Sequence, residues 1–298
     1  MLGTGVGDAL GERFEGWSTR STVRLSRDDI LAKYRGVYTD DTEMMIILAE
    51  TILGEGRLNA TVFVKELAAK FNPRRGYGRG TTTVLRRILR GVEWREASRW
   101  VFGSGSYGNG GSIRVAPVSL AYYDDRETLL KAAEYSCVVT HSHPLGVEGC
   151  LIQAYAIGLA LKGLDKDEIL EEGSRIAKSR VFTEKLSKVK ELLEEEADLE
   201  KAAYTLGNFS TAQGSVPLSL YLFLRSTDFE DAVISAVRCG GDTDSVAAMT
   251  GALAGAYYGY EAIPGELLDK LEDKDRITKL ADDLWKMKNE GKILEPVL

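Results

Sequence analysis

Apolar residues recur at the helical period along almost the whole chain, and no comparable set of alternating apolar and polar residues marks out strands. That pattern confines the fold to the all-α class. Glu43 to Leu53 runs apolar on one side and stops at Gly54; Thr61 to Phe71 repeats the pattern behind Asn59 and stops before Pro73. Helix-period stretches follow at Thr82 to Leu89, Glu93 to Val101, Arg126 to Val139, Val147 to Leu161, Lys166 to Ala177 and Thr183 to Glu196. Others run over Ser219 to Leu224, Phe229 to Val237, Val246 to Tyr258 and Lys274 to Lys288. Connections are short and no Pro-, Gly- or Ser-rich linker interrupts them, so residues 1–298 read as one compact domain. Tandem repeats of solenoid length are absent from the pattern. A chain of 298 residues is long enough to bury about three quarters of its unfolded surface in one core.

The charge balance narrows the partners. Against 45 Asp and Glu there are only 38 Lys and Arg, a formal charge of −7, which is the wrong sign for a protein that tracks nucleic-acid phosphates. No direct nucleic-acid binding is expected. Val246 to Tyr260, read as the longest apolar stretch, is about fifteen residues where roughly twenty are needed to span a bilayer, so it reads as a buried helix and no membrane is expected. Met1 to Thr4 shows no basic stretch leading into an apolar run, which makes the cytoplasm the expected location. Cys137, Cys150 and Cys239 are odd in number and widely spaced without a CxxC, and read as small core residues. The acidic run Glu191 to Glu196, with Asp198 and Glu200, reads as a solvated helix face paired with Lys188, Lys190 and Lys201. Gly251, Gly255 and Gly259 recur every four residues and would let another helix approach that backbone closely.

Two short segments carry the chemistry: Tyr38-Thr39-Asp40-Asp41-Thr42-Glu43 and Gly240-Gly241-Asp242-Thr243-Asp244-Ser245, each just before a strongly apolar helix. Singly, either could be a helix cap, because Asp, Thr and Ser oxygens accept the free N–H groups of a first turn. Together they point further. Both carry two carboxylates and a hydroxyl, and packing the two apolar helices against each other would merge them into one site. Four carboxylates at close range cannot all stay ionised without protons or cations. Oxygen ligands with no His or Cys in either cluster select Mg²⁺, Mn²⁺ or Ca²⁺ over zinc, and two divalent ions would balance the four Asp charges. An EF-hand is excluded, since the second cluster lacks the Gly and the twelfth-position Glu of that loop. A binuclear oxygen site activates water and orients substrate oxygens, so hydrolysis is the natural reaction class.

Gly103 to Ser112 is half glycine, and such a loop offers backbone N–H groups to an anion while Tyr107 adds an aromatic plane. A phosphate-bearing ligand with a stackable base would fit. The loop matches neither GxGxxG after a strand nor GxxxxGK[ST]. Arg75-Gly76-Tyr77-Gly78-Arg79-Gly80 is a second Gly-rich turn, readable as another anion cradle or as a connection. His141 and His143 lie in a polar segment before a helix, and one of them is a candidate substrate contact.

The chain then resembles the ADP-ribosylglycohydrolase superfamily across nearly its whole length. The motifs appear in the family's order: Gly7-Asp8-Ala9-Leu10-Gly11 with Glu15, Thr39-Asp40-Asp41-Thr42, Gly76-Tyr77-Gly78, Ser106-Tyr107-Gly108-Asn109-Gly110-Gly111, Thr140-His141, Gly214-Ser215-Val216-Pro217 and Gly240-Gly241-Asp242-Thr243-Asp244. Gly105 to Tyr123, with Arg114-Val115-Ala116 and Ser119 to Tyr123, is most similar to the serine-linked ADP-ribosyl-acceptor hydrolase branch; the arginine-specific dinitrogenase reductase-activating branch comes second.

The resemblance implies an orthogonal multi-helix domain. It also implies two Mg²⁺ ions, with Mn²⁺ as the alternative, held by Thr39, Asp40, Asp41, Asp242, Asp244 and Ser245, the last standing where the family commonly has Thr. Glu15 matches a mobile flap glutamate that touches the metals. Ser104, Gly105, Ser106, Tyr107, Gly108, Asn109 and Gly110 would take the diphosphate and adenosine, with Tyr107 stacked on adenine; Gly76, Gly78, His141 and Leu206 match further ligand positions, and Val101 or Phe102 a second aromatic site. The implied substrates are ADP-ribosylated proteins or ADP-ribose derivatives such as O-acetyl-ADP-ribose and poly(ADP-ribose), cleaved at C1″ of the distal ribose with Glu15 and Asp41 as the acid and base candidates. A non-catalytic ADP-ribose-binding protein, or a structural protein that merely keeps the fold, would be expected to have lost carboxylates that this chain retains.

Overall fold

Residue by residue, the computed structural model describes 1–298 as α-helices joined by short turns, with no strand. Two isolated bridges, Asn59 to Val297 and Gly108 to Thr211, are its β-type pairings. Each helix-period stretch falls on a helix, although Lys166 to Ala177 overruns Lys166–Ser174 and Thr183 to Glu196 overruns Arg180–Glu194, and the starts carry the expected caps: Thr39 accepts from Asp41 N at 3.3 Å and Asn59 from Val62 N at 3.2 Å. The helix Asp40–Glu55 runs past Gly54 and stops at Gly56, where φ is 66°. The helix Ala212–Arg225 begins well before Ser219 and contains Pro217, whose missing N–H forfeits one backbone bond in a segment buried from Gly214 to Leu224.

One apolar core of 82 buried residues extends from Leu2 to Leu284. At its centre the helix Pro144–Leu161 packs against Arg126–Val138, Ala212–Arg225 and Thr243–Tyr258. This helix corrects the reading of Val246 to Tyr260 as the longest apolar stretch. It has 18 residues at mean hydropathy 1.4, long and apolar enough to cross a membrane, and 67% of it is buried inside the fold. Its polar members find partners within the protein. Glu148 accepts from Lys178 N at 2.6 Å and Ser179 N at 2.8 Å, and Gln153 donates to Met249 O at 3.0 Å. The three cysteines are buried and unpaired, and Glu191, Glu194 and Glu195 pair with Lys188, Lys190 and Lys201.

The first helix, Leu2–Gly11, has a sequence poor in helix formers, because each glycine costs about 1 kcal/mol relative to alanine. Packing explains it. Every residue of this helix is buried, and it lies antiparallel on Thr243–Tyr258 with backbone against backbone. A Cβ at Gly3 would sit 2.1 Å from Gly251 O, one at Gly7 2.0 Å from Ala247 O and one at Gly11 2.4 Å from Thr243 O. Of the three glycines read as a packing stripe, Gly251 and Gly255 meet Gly3, whereas Gly259 faces open space at φ 85° and ends the helix. Thr243 Oγ1 donates to Gly11 O at 2.8 Å and fixes the register at the end that carries the second acidic cluster.

Candidate active site

The starts of Asp40–Glu55 and Thr243–Tyr258 meet, and Ser245 Oγ donates to Asp41 Oδ2 at 3.0 Å across the junction. Carboxylate oxygens of Asp8, Asp41 and Asp244 lie within 4.8 Å of one another, as do those of Glu15, Asp242 and Asp244, so Asp244 belongs to both groups. The two clusters use their capping capacity differently. Thr39 caps its helix and frees Asp40 and Asp41, while Asp242 stands at the N-cap but makes no capping bond; its Oδ2 instead accepts from Asn109 Nδ2 at 2.6 Å. Gly240 and Gly241 take φ of 65° and 75°, and a Cβ at Gly241 would lie 2.1 Å from Asn208 O, so only glycine fits this turn. Gly241 exchanges two 2.8 Å backbone bonds with the Glu15 turn, giving its O to Gly16 N and its N to Trp17 O.

Asp8 is a site residue to which the sequence reading gave no role. It is the one ionisable group in the first helix, fully buried, and it accepts from Thr39 N at 3.1 Å, Thr42 N at 3.0 Å and Thr42 Oγ1 at 2.6 Å. It therefore holds the start of the Asp40 helix from outside. A single Asp inside an otherwise apolar, Gly-rich helix was the available signal.

The carboxylates floor a cleft of about 380 Å³. Ser106, Tyr107, Gly108, Asn109, Gly110, Gly76, Gly78 and His141 line it together with Glu15, Asp40, Asp41, Asp242, Asp244 and Ser245. Four expected residues stand off the wall. Ser104 is exposed beyond it, Gly105 is buried with its Cα toward Ser142, Thr39 faces Asp41 N, and Leu206 is fully buried with its carbonyl accepting from Lys185 Nζ at 2.7 Å. Of the two candidates for a second aromatic, Phe102 lines the cleft at 60% exposure with φ 55°, while Val101 packs into a small cluster with Val84 and Ala97. Tyr107 is half-exposed and meets the His143 ring edge-on at 5.3 Å. His143 is a cap: its Nδ1 accepts from Leu145 N at 3.1 Å. Arg79 and Gly80, from the second Gly-rich turn, also line the cleft, as do Met44, Thr81 and Ser210, which were not foreseen; Met44 reaches it because it lies one turn after Asp40.

Burial dominates the electrostatics. It raises the Asp8 carboxyl to about 6 against its bonds to Thr39 and Thr42, and, with Asp8 and Glu15 adding repulsion, raises Asp40 to about 8. Asp41 and Asp244 are pushed well above the carboxylate range by burial and then by their acidic neighbours, and Asp242 and Glu15 are raised as well. Arg13 and Arg75 pair with other groups, Arg13 with Glu12 and Arg75 with Glu272 and Glu43. Asp244 Oδ1 is buried without any hydrogen-bond partner. An orphaned carboxylate oxygen among hydroxyl and carboxylate donors fits a hard divalent cation.

The family model described as ADP-ribosylglycohydrolase matches residues 1–292. The chain belongs to this family. It is 32% identical to ADP-ribosylhydrolase ARH3 of Mus musculus over 98% of this chain and 91% of the relative, and 28% identical to ADP-ribosylarginine hydrolase Tri1 of Serratia proteamaculans over 96% and 78%. The solved structure of an ADP-ribosylglycohydrolase-related protein complex superposes with a TM-score of 0.77 at 29% identity, covering 96% of this chain and 95% of that one. As a member of the ADP-ribosylglycohydrolase family, the protein is an ADP-ribosyl hydrolase with buried Asp clusters able to bind metal.

The raised carboxyls give this ADP-ribosylglycohydrolase a testable pH dependence. A carboxyl whose pKa is higher folded than unfolded holds a proton that the unfolded chain releases, so stability is full below the usual Asp range and falls as pH rises through the folded value. With Asp8 at about 6 and Asp40 at about 8, EDTA-treated protein is expected to melt at a higher temperature at pH 6 than at pH 8. Excess Mg²⁺ should raise the pH 8 melting temperature more than the pH 6 one. Calorimetry that finds the same melting temperature at both pH values in EDTA would show that these carboxyls are not raised by folding.

Proposed function

We propose that this ADP-ribosylglycohydrolase is a Mg²⁺-dependent hydrolase that cleaves the C1″ bond joining the distal ribose to a serine side chain of an ADP-ribosylated protein. The observation that carries the reading is one cleft with a floor of carboxylates and a wall of glycines and aromatics. Asp40, Asp41, Asp242, Asp244 and Ser245, with Thr39 and Glu15 at the margins, would hold two divalent ions. Such ions supply charge compensation and a hold on the ribose hydroxyls. Tyr107 and Phe102 offer exposed rings for adenine, and the Ser106 to Gly110 wall takes the diphosphate.

The reaction forms a bond from water oxygen to C1″ and breaks the bond from C1″ to serine Oγ, which leaves with a proton. Glu15 is the carboxylate fitted to move that proton. It sits exposed on the turn after Glu12–Phe14, and burial of its neighbourhood together with Asp242 and Glu12 raises its pKa toward the range useful for an acid. Asp41, buried and bonded by Ser245, is a better ligand than a shuttle.

Support for serine comes from the similarity of Gly105 to Tyr123 to that branch, and the lower identity to the arginine hydrolase Tri1 than to ARH3 speaks against the arginine linkage. Arg114, Val115, Ala116 and Ser119 are core residues, so they mark descent and do not touch the acceptor. The test is release of free ADP-ribose from matched serine-linked and arginine-linked peptides, each with Mg²⁺ and with EDTA. Cleavage of the serine peptide in Mg²⁺ alone is expected. Cleavage of only the arginine peptide would replace the linkage, and equal rates in EDTA would remove the metal.

A further inference from the structure

Arg114 is fully buried, yet no carboxylate pairs with it. A buried guanidinium without a counterion is costly, and is kept only where its hydrogen bonds are well placed. One nitrogen donates to Ser136 O at 2.5 Å and to Thr140 Oγ1 at 2.8 Å, another approaches Met44 Sδ at 3.5 Å, and Nε is buried without a partner; the group lies 5.1 Å from the Phe63 ring centre. Thr140 Oγ1 in turn lies 2.8 Å from His141 Nδ1.

The directions of these bonds are not free. Arginine can only donate, so Thr140 Oγ1 is an acceptor toward Arg114. Thr140 is itself fully buried, and the one acceptor within reach of its hydroxyl proton is His141 Nδ1. Were Nδ1 protonated, the threonine oxygen would receive two donors and its own proton would be orphaned in the core. Nδ1 is therefore bare, and the ring proton is on Nε2.

That nitrogen faces the cleft. His141 lines it, Nε2 has no protein partner, and two glycines leave the approach open: a Cβ at Gly110 would stand 2.8 Å from Cε1 and 3.1 Å from Nε2, and one at Gly108 3.3 Å from Nε2. We propose that Arg114 and Thr140 are positioning residues that lock His141 as the neutral Nε2–H tautomer, a fixed donor to a phosphoryl oxygen of the bound ADP-ribose. The ligand half of this inference rests on the function proposed above. Burial and the Arg114 charge, which drive the His141 pKa down to about 3, keep the ring from becoming a second cation.

The chain has only two histidines, which makes the lock directly observable. In protein labelled with ¹⁵N-histidine, two-bond ¹H–¹⁵N correlation should show His141 with an unprotonated Nδ1 and a protonated Nε2, with His143→Asn providing the assignment. Thr140→Val keeps the side-chain shape and removes the hydroxyl; it should populate the Nδ1–H tautomer and raise the Kd for ADP-ribose about tenfold, the worth of one hydrogen bond. Thr140→Ser should restore both. A protonated Nδ1 in the wild type, or Thr140→Val with wild-type tautomer or wild-type Kd, overturns the proposal. Wild type that shows the Nε2–H form and binds no ADP-ribose refutes the substrate assignment and leaves the lock standing, so the two failures are told apart.

Discussion

Asp244→Asn is expected to lower the Mg²⁺-dependent kcat/KM by roughly 10³-fold while raising the melting temperature of the EDTA-treated protein. The two effects have one cause. Asp244 is shared by both carboxylate groups, is buried, and leaves Oδ1 without a partner. The amide keeps the shape and removes a charge that burial, Asp242, Glu15 and Asp8 all oppose. What destabilises the metal-free fold is what would hold the metal. Steady-state rates on the serine-linked peptide and calorimetry with and without Mg²⁺ check both halves. A near-wild-type rate would take Asp244 out of the site, and a lower melting temperature in EDTA would show that the carboxylate is not under strain.

Gly7→Ala is expected to destabilise the protein by about 3 kcal/mol or more, a fall of roughly 5 °C or more in Tm for a chain of this length. The new Cβ would lie 2.0 Å from the backbone oxygen of Ala247 and 2.4 Å from its carbonyl carbon, atoms that cannot swing aside as a side chain would. Separating the helices by the missing ångström would also draw Asp8 and Glu15 away from Asp242 and Asp244. Gly54→Ala is the matched control. Gly54 lies near the end of Asp40–Glu55 with nothing within 4 Å of its Cβ position, so there the substitution should stabilise by about 0.5–1 kcal/mol. A gain at Gly7 equal to that at Gly54 would mean that helix propensity, and not contact, decides the outcome at Gly7.

The difference between these glycines explains what was legible in the sequence. Helices with an apolar face and a capping residue, such as Ala60–Lys70 behind Asn59, could be read because local chemistry and packing agree there. Leu2–Gly11 could not. Its glycines argue against a helix locally, and the reason for them, the backbone of Thr243–Tyr258, is far away in sequence. The site divides in the same way. Asp40, Asp41, Asp242 and Asp244 announce themselves as pairs, whereas Asp8 is a single residue whose meaning depends on Thr39 and Thr42 being opposite it. Leu206 was placed by its match to a ligand position of the family; its side chain points into the core, which only the packing of Leu199–Leu206 against Ala212–Arg225 reveals.

The helix pair that joins Leu2–Gly11 to Thr243–Tyr258 closes a long loop. Its register bond links residues 232 apart in sequence, so the entropic cost of that contact is met only when most of the intervening chain is already folded. The seam is therefore expected to zip late, after the helices between it have condensed. The acidic groups on its two sides meet last, when a nearly complete core can bear their repulsion. Metal affinity would then appear only with the final folding step, and a Mg²⁺ titration during refolding would report completion of the whole molecule.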